Sequence, residues 1–359
     1  AGSGLKVALI DKSSFPRDKV CGDAVAAYVP KVLNAINPKF AESLKLYSDN
    51  FPVNKCRIVA PNEKFVDLEF SEWGFIATRM SWDNFLFEMA ASQKEVTAYL
   101  NCEVSDVAIN DNGVTVTTSN HHQFNGSVVI GCDGAHSLVN KKLTDTKVDL
   151  AHYSGAVRVY YKGVTDIPQA TFELHFMRDL LPGYFWIFPL PNGYANVGLG
   201  MLSETISSQK INLRNSLNDV IANVPYIKKR FANAEATESV KGYGLPLGSR
   251  KVTMSGNRFM LCGDAASLVD PATGEGIGQA MVSGRYAGWH AAKCIAQNNY
   301  TADFMKQYDE QVYAKFWDAH RKRYFFQKMI NNRQWVINAA VNLASNNRYC
   351  YNIMKKIIW

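Results

Sequence analysis

The chain has 359 residues, 47% of them hydrophobic and 20% charged, which is ordinary globular composition and room enough for two domains or one large α/β domain. Its seven cysteines are odd in number, scattered singly and without a Cys-x-x-Cys spacing, which argues against a disulfide scaffold or zinc knuckle and for a reducing, cytoplasmic compartment. The net charge of +7 belongs to one end: eight of the 39 basic residues and none of the 32 acidic ones follow Asp318, so the first 318 residues balance at −1 and nucleic acid is not an expected partner.

In chain order, residues 1–4 (Ala-Gly-Ser-Gly) read as a tight turn, and 5–10 as a buried parallel strand closed by Asp11. That apolar run is too short and too quickly followed by charge for a secretory signal, and no run of about 18 apolar residues marks a membrane span. A helix is expected over 81–92, with Ser81 as its N-cap. Strands 103–109 and 114–118 flank Asn110-Asp111-Asn112-Gly113, a hairpin signal. A short strand at 127–130 runs into Cys132-Asp133-Gly134. Four apolar segments, 155–161, 171–176, 184–190 and 194–199, then read as an antiparallel sheet. A helix at 211–224, a strand at 258–262, a helix over 274–297 and helices over 302–331 and 334–358 complete the chain. His121 and His122 are adjacent and would point apart on a strand, and no metal site is assigned.

Three strands end in an acid: Asp11, Asp133 and Asp264. Ligands of doubly wound folds bind beyond such strand ends, and an acid after the second strand can accept from both ribose hydroxyls of an adenosine. Asp11 and Asp133 read equally well as turn residues. The third acid is more specific, because Gly263-Asp264 is followed by Pro271-Ala272-Thr273-Gly274-Glu275-Gly276-Ile277 opening a long helix. Glycines at 274 and 276 let the backbone approach a flat ring, and a helix N-terminus there favours negative charge on it.

Taken together, Asp11, Asp133-Gly134 and Gly263-Asp264 resemble the FAD-binding fold of the aromatic hydroxylases. Within that group, three motifs resemble the geranylgeranyl reductases: Lys19-Val20-Cys21-Gly22-Asp23 beside their Cys-Gly-Gly segment, Pro182 to Pro189 as their Pro-x-x-Tyr-x-Trp-x-Phe-Pro strand, and Thr273 to Ile277 followed by Ser283-Gly284. The resemblance covers about residues 1–300. It implies a doubly wound, Rossmann-like α/β domain that binds FAD (1–80, 97–145 and 252–300), interleaved with an antiparallel substrate domain (46–78 and 150–250) and followed by a helical region (301–359). The family's opening strand and Gly-x-Gly-x-x-Gly turn would precede residue 1, so a longer natural protein is expected. Asp23 stands where the family has a second glycine.

The resemblance further implies that Arg79 contacts FAD ahead of a helix and that Val104 lies on the strand meeting the adenine. Cys21, Gly22 and Ala24 would run along the flavin, with Asp264, Gly274, Gly276 and Ile277 holding the ribityl chain and ring. Reduction of an isolated alkene needs a hydride on one carbon and a proton on the other. Cys21 is the candidate proton donor, the competing reading being an inert buried thiol. Tyr184, Trp186 and Phe188 alternate onto one strand face and form either a tunnel for an isoprenoid chain or core packing. The basic tail mixes Arg321, Lys322 and Arg323 with Phe325, Trp335, Ile353 and Trp359, which suits either an anionic membrane surface at the inner face or a solvated helix. The expected activity is an FAD-dependent reduction of an isoprenoid or other polyunsaturated lipid, with NADPH, NADH or ferredoxin as electron donor left open. A flavin monooxygenase acting on an aromatic ring and a non-catalytic lipid-binding protein or fragment are the alternatives.

Overall fold

The computed structural model describes residues 2–331 and 333–358. Ala1 of the opening turn and Trp359 of the apolar tail set lie outside the described residues. Gly2 and Gly4 both take left-handed backbone angles, as a tight turn requires.

The largest element is a nine-stranded mixed sheet, in the order Glu235–Ala236, Tyr153–Lys162, Tyr194–Leu202, Tyr184–Pro189, Thr171–His175, Phe51–Val59, Phe65–Ile76, Ala24–Val25, with Lys241–Pro246 also pairing to Tyr153–Lys162. The four strands expected from the alternation at 155–199 are its centre, and all pair antiparallel. The join between Thr171–His175 and Phe51–Val59 is parallel. Period-two alternation gives the sheet two apolar faces. Phe185 and Ile187 are fully buried on one face with Val197, Leu199, Leu217 and Ile227. Trp186, Phe188, Phe172 and Leu174 pack on the other, against Ile330, Ile337 and Val341 of the C-terminal helices.

The parallel strands of the doubly wound part come in two pairs, Val7–Ile10 beside Val96–Tyr99 and Val129–Gly131 beside Phe259–Leu261. The run at 5–10 reads as a buried strand, yet Val7 and Ala8 are exposed. Among the described residues this strand has one hydrogen-bonded neighbour, so less of it is covered than a central parallel strand would have. The predicted hairpin forms as Val104–Asn110 and Gly113–Thr118, and Gln123–Gly126 adds a third strand. Asn110 Oδ1 accepts from the amides of Asn112 (2.9 Å) and Gly113 (3.0 Å), an Asx turn.

The helix expected over 81–92 spans Arg79–Ala91, and its cap is Thr78, whose hydroxyl accepts from Ser81 N. Ser81 cannot serve as the N-cap because it lies inside the first turn, where its hydroxyl accepts from Tyr47 (2.9 Å). The helix Ala302–Ile330 buries Met305, Tyr308, Val312, Phe316, His320, Gln327 and Ile330, the three- and four-residue spacing of one helical face. The tail expected as one helix is two, Gln334–Asn346 and Arg348–Ile358. Asn347 interrupts them in extended conformation, and its side chain accepts from Tyr349 N and Cys350 N (2.8 and 3.2 Å). The short helices Val29–Ile36 and Pro38–Lys45 carry no strong sequence signal and form around proline first turns. No described helix is long and apolar enough to cross a membrane.

Candidate active site

A cavity of about 730 Å³ opens where the doubly wound part meets the mixed sheet. Cys21, Gly22, Ala24, Arg79, Asp264, Gly274, Gly276 and Ile277 line it together with Tyr184, Trp186 and Phe188. Three residues of the expected set are not among its walls. Asp11 sits at the end of its strand, 3.8 Å from the guanidinium of Arg17, which does line the cavity. Val104 packs on the core beside the hairpin. Asp133 accepts from Ser137 Oγ (2.5 Å), the N-cap of the helix Leu138–Leu143, and from Val139 N of its first turn (3.1 Å), while its neighbours Cys132 and Gly134 face the cavity.

Alternation along Tyr184–Pro189 stacks the aromatic wall, with ring centroids 6.1 Å apart from Tyr184 to Trp186 and 6.0 Å from Trp186 to Phe188. Tyr184 donates its hydroxyl to the carbonyl of Thr273, so the aromatic strand and the glycine turn are tied to each other. Gly22 packs on this wall: a Cβ there would stand 3.1 Å from Phe188 Cε2. Gly274 has φ +70°, a left-handed angle that suits glycine.

The turn ahead of the helix Ile277–Gln297 is held from several sides. Gly263 N donates to Ser283 Oγ (3.0 Å), which gives the Ser283-Gly284 pair a structural task. Asp270 Oδ1 accepts from the amides of Ala272 and Thr273 (both 3.0 Å), and Arg323 donates to Asp270 Oδ2. Glu275 Oε1 accepts from Gly278 N (2.8 Å), so one amide of the helix start is already occupied. Burial pushes the Glu275 carboxyl up to about 7; the Gly278 amide opposes this and the charge of Asp270 adds to it.

On the opposite wall Arg79 donates to both oxygens of Asp83 (2.6 and 2.8 Å), and Arg17 donates to Asp83 Oδ2 (2.8 Å). Burial alone would lower the Arg79 pKa, but Cys21 and Asp83 beside it outweigh this and keep the guanidinium charged. Asp264 is paired to Lys19 (3.1 Å). The flavin-ring end of the cofactor fits these walls, since Gly22, Gly274, Gly276 and Ile277 line the cavity and, among the described residues, the buried carbonyl oxygen of the Gln279 side chain has no hydrogen-bond partner. Of the residues expected to bind the cofactor, Asp11, Asp133 and Val104 lie outside the cavity.

Asn196 is a network residue that sequence reasoning passed over, and Asp23, which lines the cavity, entered it as a departure from a glycine with no role assigned. Both are fully buried. Asn196 had one usable signal, a lone amide inside the apolar run Ala195 to Leu199.

Comparison with known proteins places the chain in a family. The family described as geranylgeranyl reductase catalytic domain matches residues 154–242, the centre of the mixed sheet. Digeranylgeranylglycerophospholipid reductase of Methanosarcina acetivorans is 30% identical over 329 residues, which cover 88% of this chain and 75% of that protein. The chain belongs to the geranylgeranyl reductase family. Digeranylgeranylglycerophospholipid reductase 1 of Methanococcoides burtonii is 28% identical over 274 residues, and the match spans 74% of this chain but just 64% of that relative's length. The structure of a geranylgeranyl bacteriochlorophyll reductase-like protein from Thermoplasma acidophilum superposes with a TM-score of 0.80 at 22% identity, over 96% of this chain and 86% of that one. The fold is thus shared with that protein, and the matched family segment contains the strand Tyr184–Pro189.

Proposed function

We propose that this chain is the body of an FAD-dependent reductase that saturates carbon–carbon double bonds of an isoprenoid lipid. One observation carries the reading: Cys21, the glycine turn at 274–276 and the Tyr184–Trp186–Phe188 wall, separate in sequence, face one cavity. The domain division given by the sequence (1–80, 97–145 and 252–300 for FAD; 46–78 and 150–250 for substrate; 301–359 for the tail) is part of this proposal.

FAD, once reduced by the electron donor, would supply the hydride, with its ring against Gly22, Gly274, Gly276 and Ile277, its ribityl chain at Asp264, and Asp11, Asp133 and Val104 toward the adenosine. The protein's own groups do the rest. The aromatic wall excludes water and orients the apolar chain by contact. Cys21 gives its thiol proton to the carbon opposite the hydride, and the Arg79 guanidinium stabilises the thiolate left behind. The test is direct: add FAD to the purified protein, record visible flavin absorption, reduce with dithionite and supply a geranylgeranyl-bearing lipid. Mass spectrometry should find two hydrogens gained per double bond. A protein of natural length that takes up no flavin, or whose reduced flavin leaves the lipid unchanged, would overturn the reading.

Contact with the inner face of a membrane belongs to the same proposal. The tail carries all of the charge excess, and Phe325 (72% exposed), Trp335 (67%) and Tyr349 (74%) stand out from its helices. Arg321 lies one helical turn before Phe325, and Arg323, Gln327 and Ile358 of the same region line the cavity. The protein should therefore sediment with vesicles containing anionic lipid. Arg321→Ala with Lys322→Ala should weaken that binding roughly 30-fold, at about 1 kcal/mol per surface cation. Equal partition onto neutral and anionic vesicles would rule out an electrostatic tail.

A further inference from the structure

Asp23 has backbone φ +68°, the left-handed region that glycine takes freely and aspartate or asparagine only occasionally. It is nevertheless an aspartate, completely buried, on the segment that carries Cys21. What it gains is a set of hydrogen bonds built by the mixed sheet. Tyr160 and Asn196 are direct partners across the antiparallel strands Tyr153–Lys162 and Tyr194–Leu202, so their side chains leave one face side by side. Both donate to Asp23 Oδ2, Tyr160 through its hydroxyl (2.7 Å) and Asn196 through Nδ2 (2.8 Å).

Asn196 then reaches both sides of the site. Its Nδ2 also donates to the carbonyl of Cys21 (2.7 Å), and its Oδ1 accepts the indole N–H of Trp186 (2.9 Å). One buried carboxylate thus sits at the root of a chain of bonds that ends on the cysteine segment in one direction and on the aromatic wall in the other. In a buried network every link constrains the next, and the amide of Asn196 has no freedom to flip without breaking bonds at both ends.

We infer that Asp23 is a positioning residue: acting through Asn196, it fixes the Cys21 segment against the Trp186 wall, so that thiol and substrate chain keep one separation. The inference rests on the reductase reading for its purpose, but its geometry stands apart from it. Two further features support it. Among the described residues Oδ1 of Asp23 has no hydrogen-bond partner, so the carboxyl is retained in spite of an unsatisfied buried oxygen. Burial raises its pKa to about 6, against the Asn196 and Tyr160 hydrogen bonds and the charges of Arg158 and Arg79, so this polar group resists burial and is held there by its neighbours.

The experiment measures alkylation of Cys21 in the whole chain by peptide mass spectrometry, with fully buried Cys56 as an internal reporter of unfolding. Asp23→Ala and Asn196→Ala should each raise Cys21 labelling several-fold with Cys56 still protected, and the double variant should add nothing further. Asp23→Asn, which keeps an acceptor and loses the charge, should restore protection close to that of the unsubstituted protein. In the flavin-loaded protein, Asp23→Ala should lower kcat and leave KM unchanged. Cys21 labelling unaltered in Asn196→Ala, or rising only in step with Cys56, would overturn the inference. So would additive effects in the double variant. If no form turns over any lipid, the reductase reading fails, while the labelling contrast still decides what Asp23 does.

Discussion

Replacing Arg230 with methionine is expected to destabilise the protein by about 3–5 kcal/mol, the usual cost of stranding one member of a buried ion pair. Arg230 donates to both oxygens of Glu173 (2.8 and 2.6 Å), and Glu173 is 1% exposed on the sheet face opposite the cavity. His175 Nε2 lies 3.2 Å from the same carboxylate, but burial pushes the His175 pKa down, so the guanidinium is the compensating charge. Burial by itself would raise the Glu173 pKa. The hydrogen bonds from His175 and Arg230 and the charge of Arg230 overcome it and hold the carboxyl at about 2.

The sign with pH follows from that depressed value. A carboxyl held below its unfolded pKa contributes stability above about pH 4.5, and that contribution fades as the pH falls toward 2. Without Arg230 the carboxyl protonates readily, which relieves the stranded charge. The deficit of Arg230→Met should accordingly be largest near pH 7 and shrink by pH 4. Urea midpoints at the two pH values measure it, and a deficit that is small at pH 7 or grows on acidification would show that the pair is not compensating a buried charge.

Cys21→Ser should cut turnover about 10²- to 10⁴-fold, the range for loss of a positioned general acid, while leaving flavin uptake intact. This rests on the function proposed above. Serine fills nearly the same volume, so the packing of Gly22 on Phe188 and the bond from Asn196 to the backbone carbonyl of residue 21 are kept. What changes is acidity: an alkoxide is a far poorer product of proton loss than a thiolate, even beside Arg79. Single-turnover reoxidation of reduced flavin by lipid isolates the chemical step. A Cys21→Ser protein that reoxidises at the unsubstituted rate would remove Cys21 from the proton-donating role and leave it as wall.

Much of the site could be read from local pattern. Alternation alone put Tyr184, Trp186 and Phe188 on one face, and the glycine spacing at 274 and 276 marked a turn opening a long helix, which begins at Ile277. Signals of this kind are short-range: periods of two and of 3.6 residues, and turn residues with particular backbone needs. They failed where one residue overrode the pattern, as at Asn347, which caps a new helix inside a segment read as continuous. Capping competed unseen at Ser81 as well, because the hydroxyl of Tyr47, 34 residues earlier, already engages it.

The sequence by itself determined the strand and helix types of the centre of the chain and the three motifs whose resemblance to the geranylgeranyl reductases pointed to the fold and to a flavin and lipid site. It did so because those features depend on residues within a few positions of one another. Tertiary structure alone decided which motifs meet. Asp23 finds Tyr160 at a separation of 137 residues and Asn196 at 173, and Glu173 finds Arg230 at 57. Such pairings follow from strand register and from the packing of one sheet against distant segments, and neither leaves a trace in local periodicity.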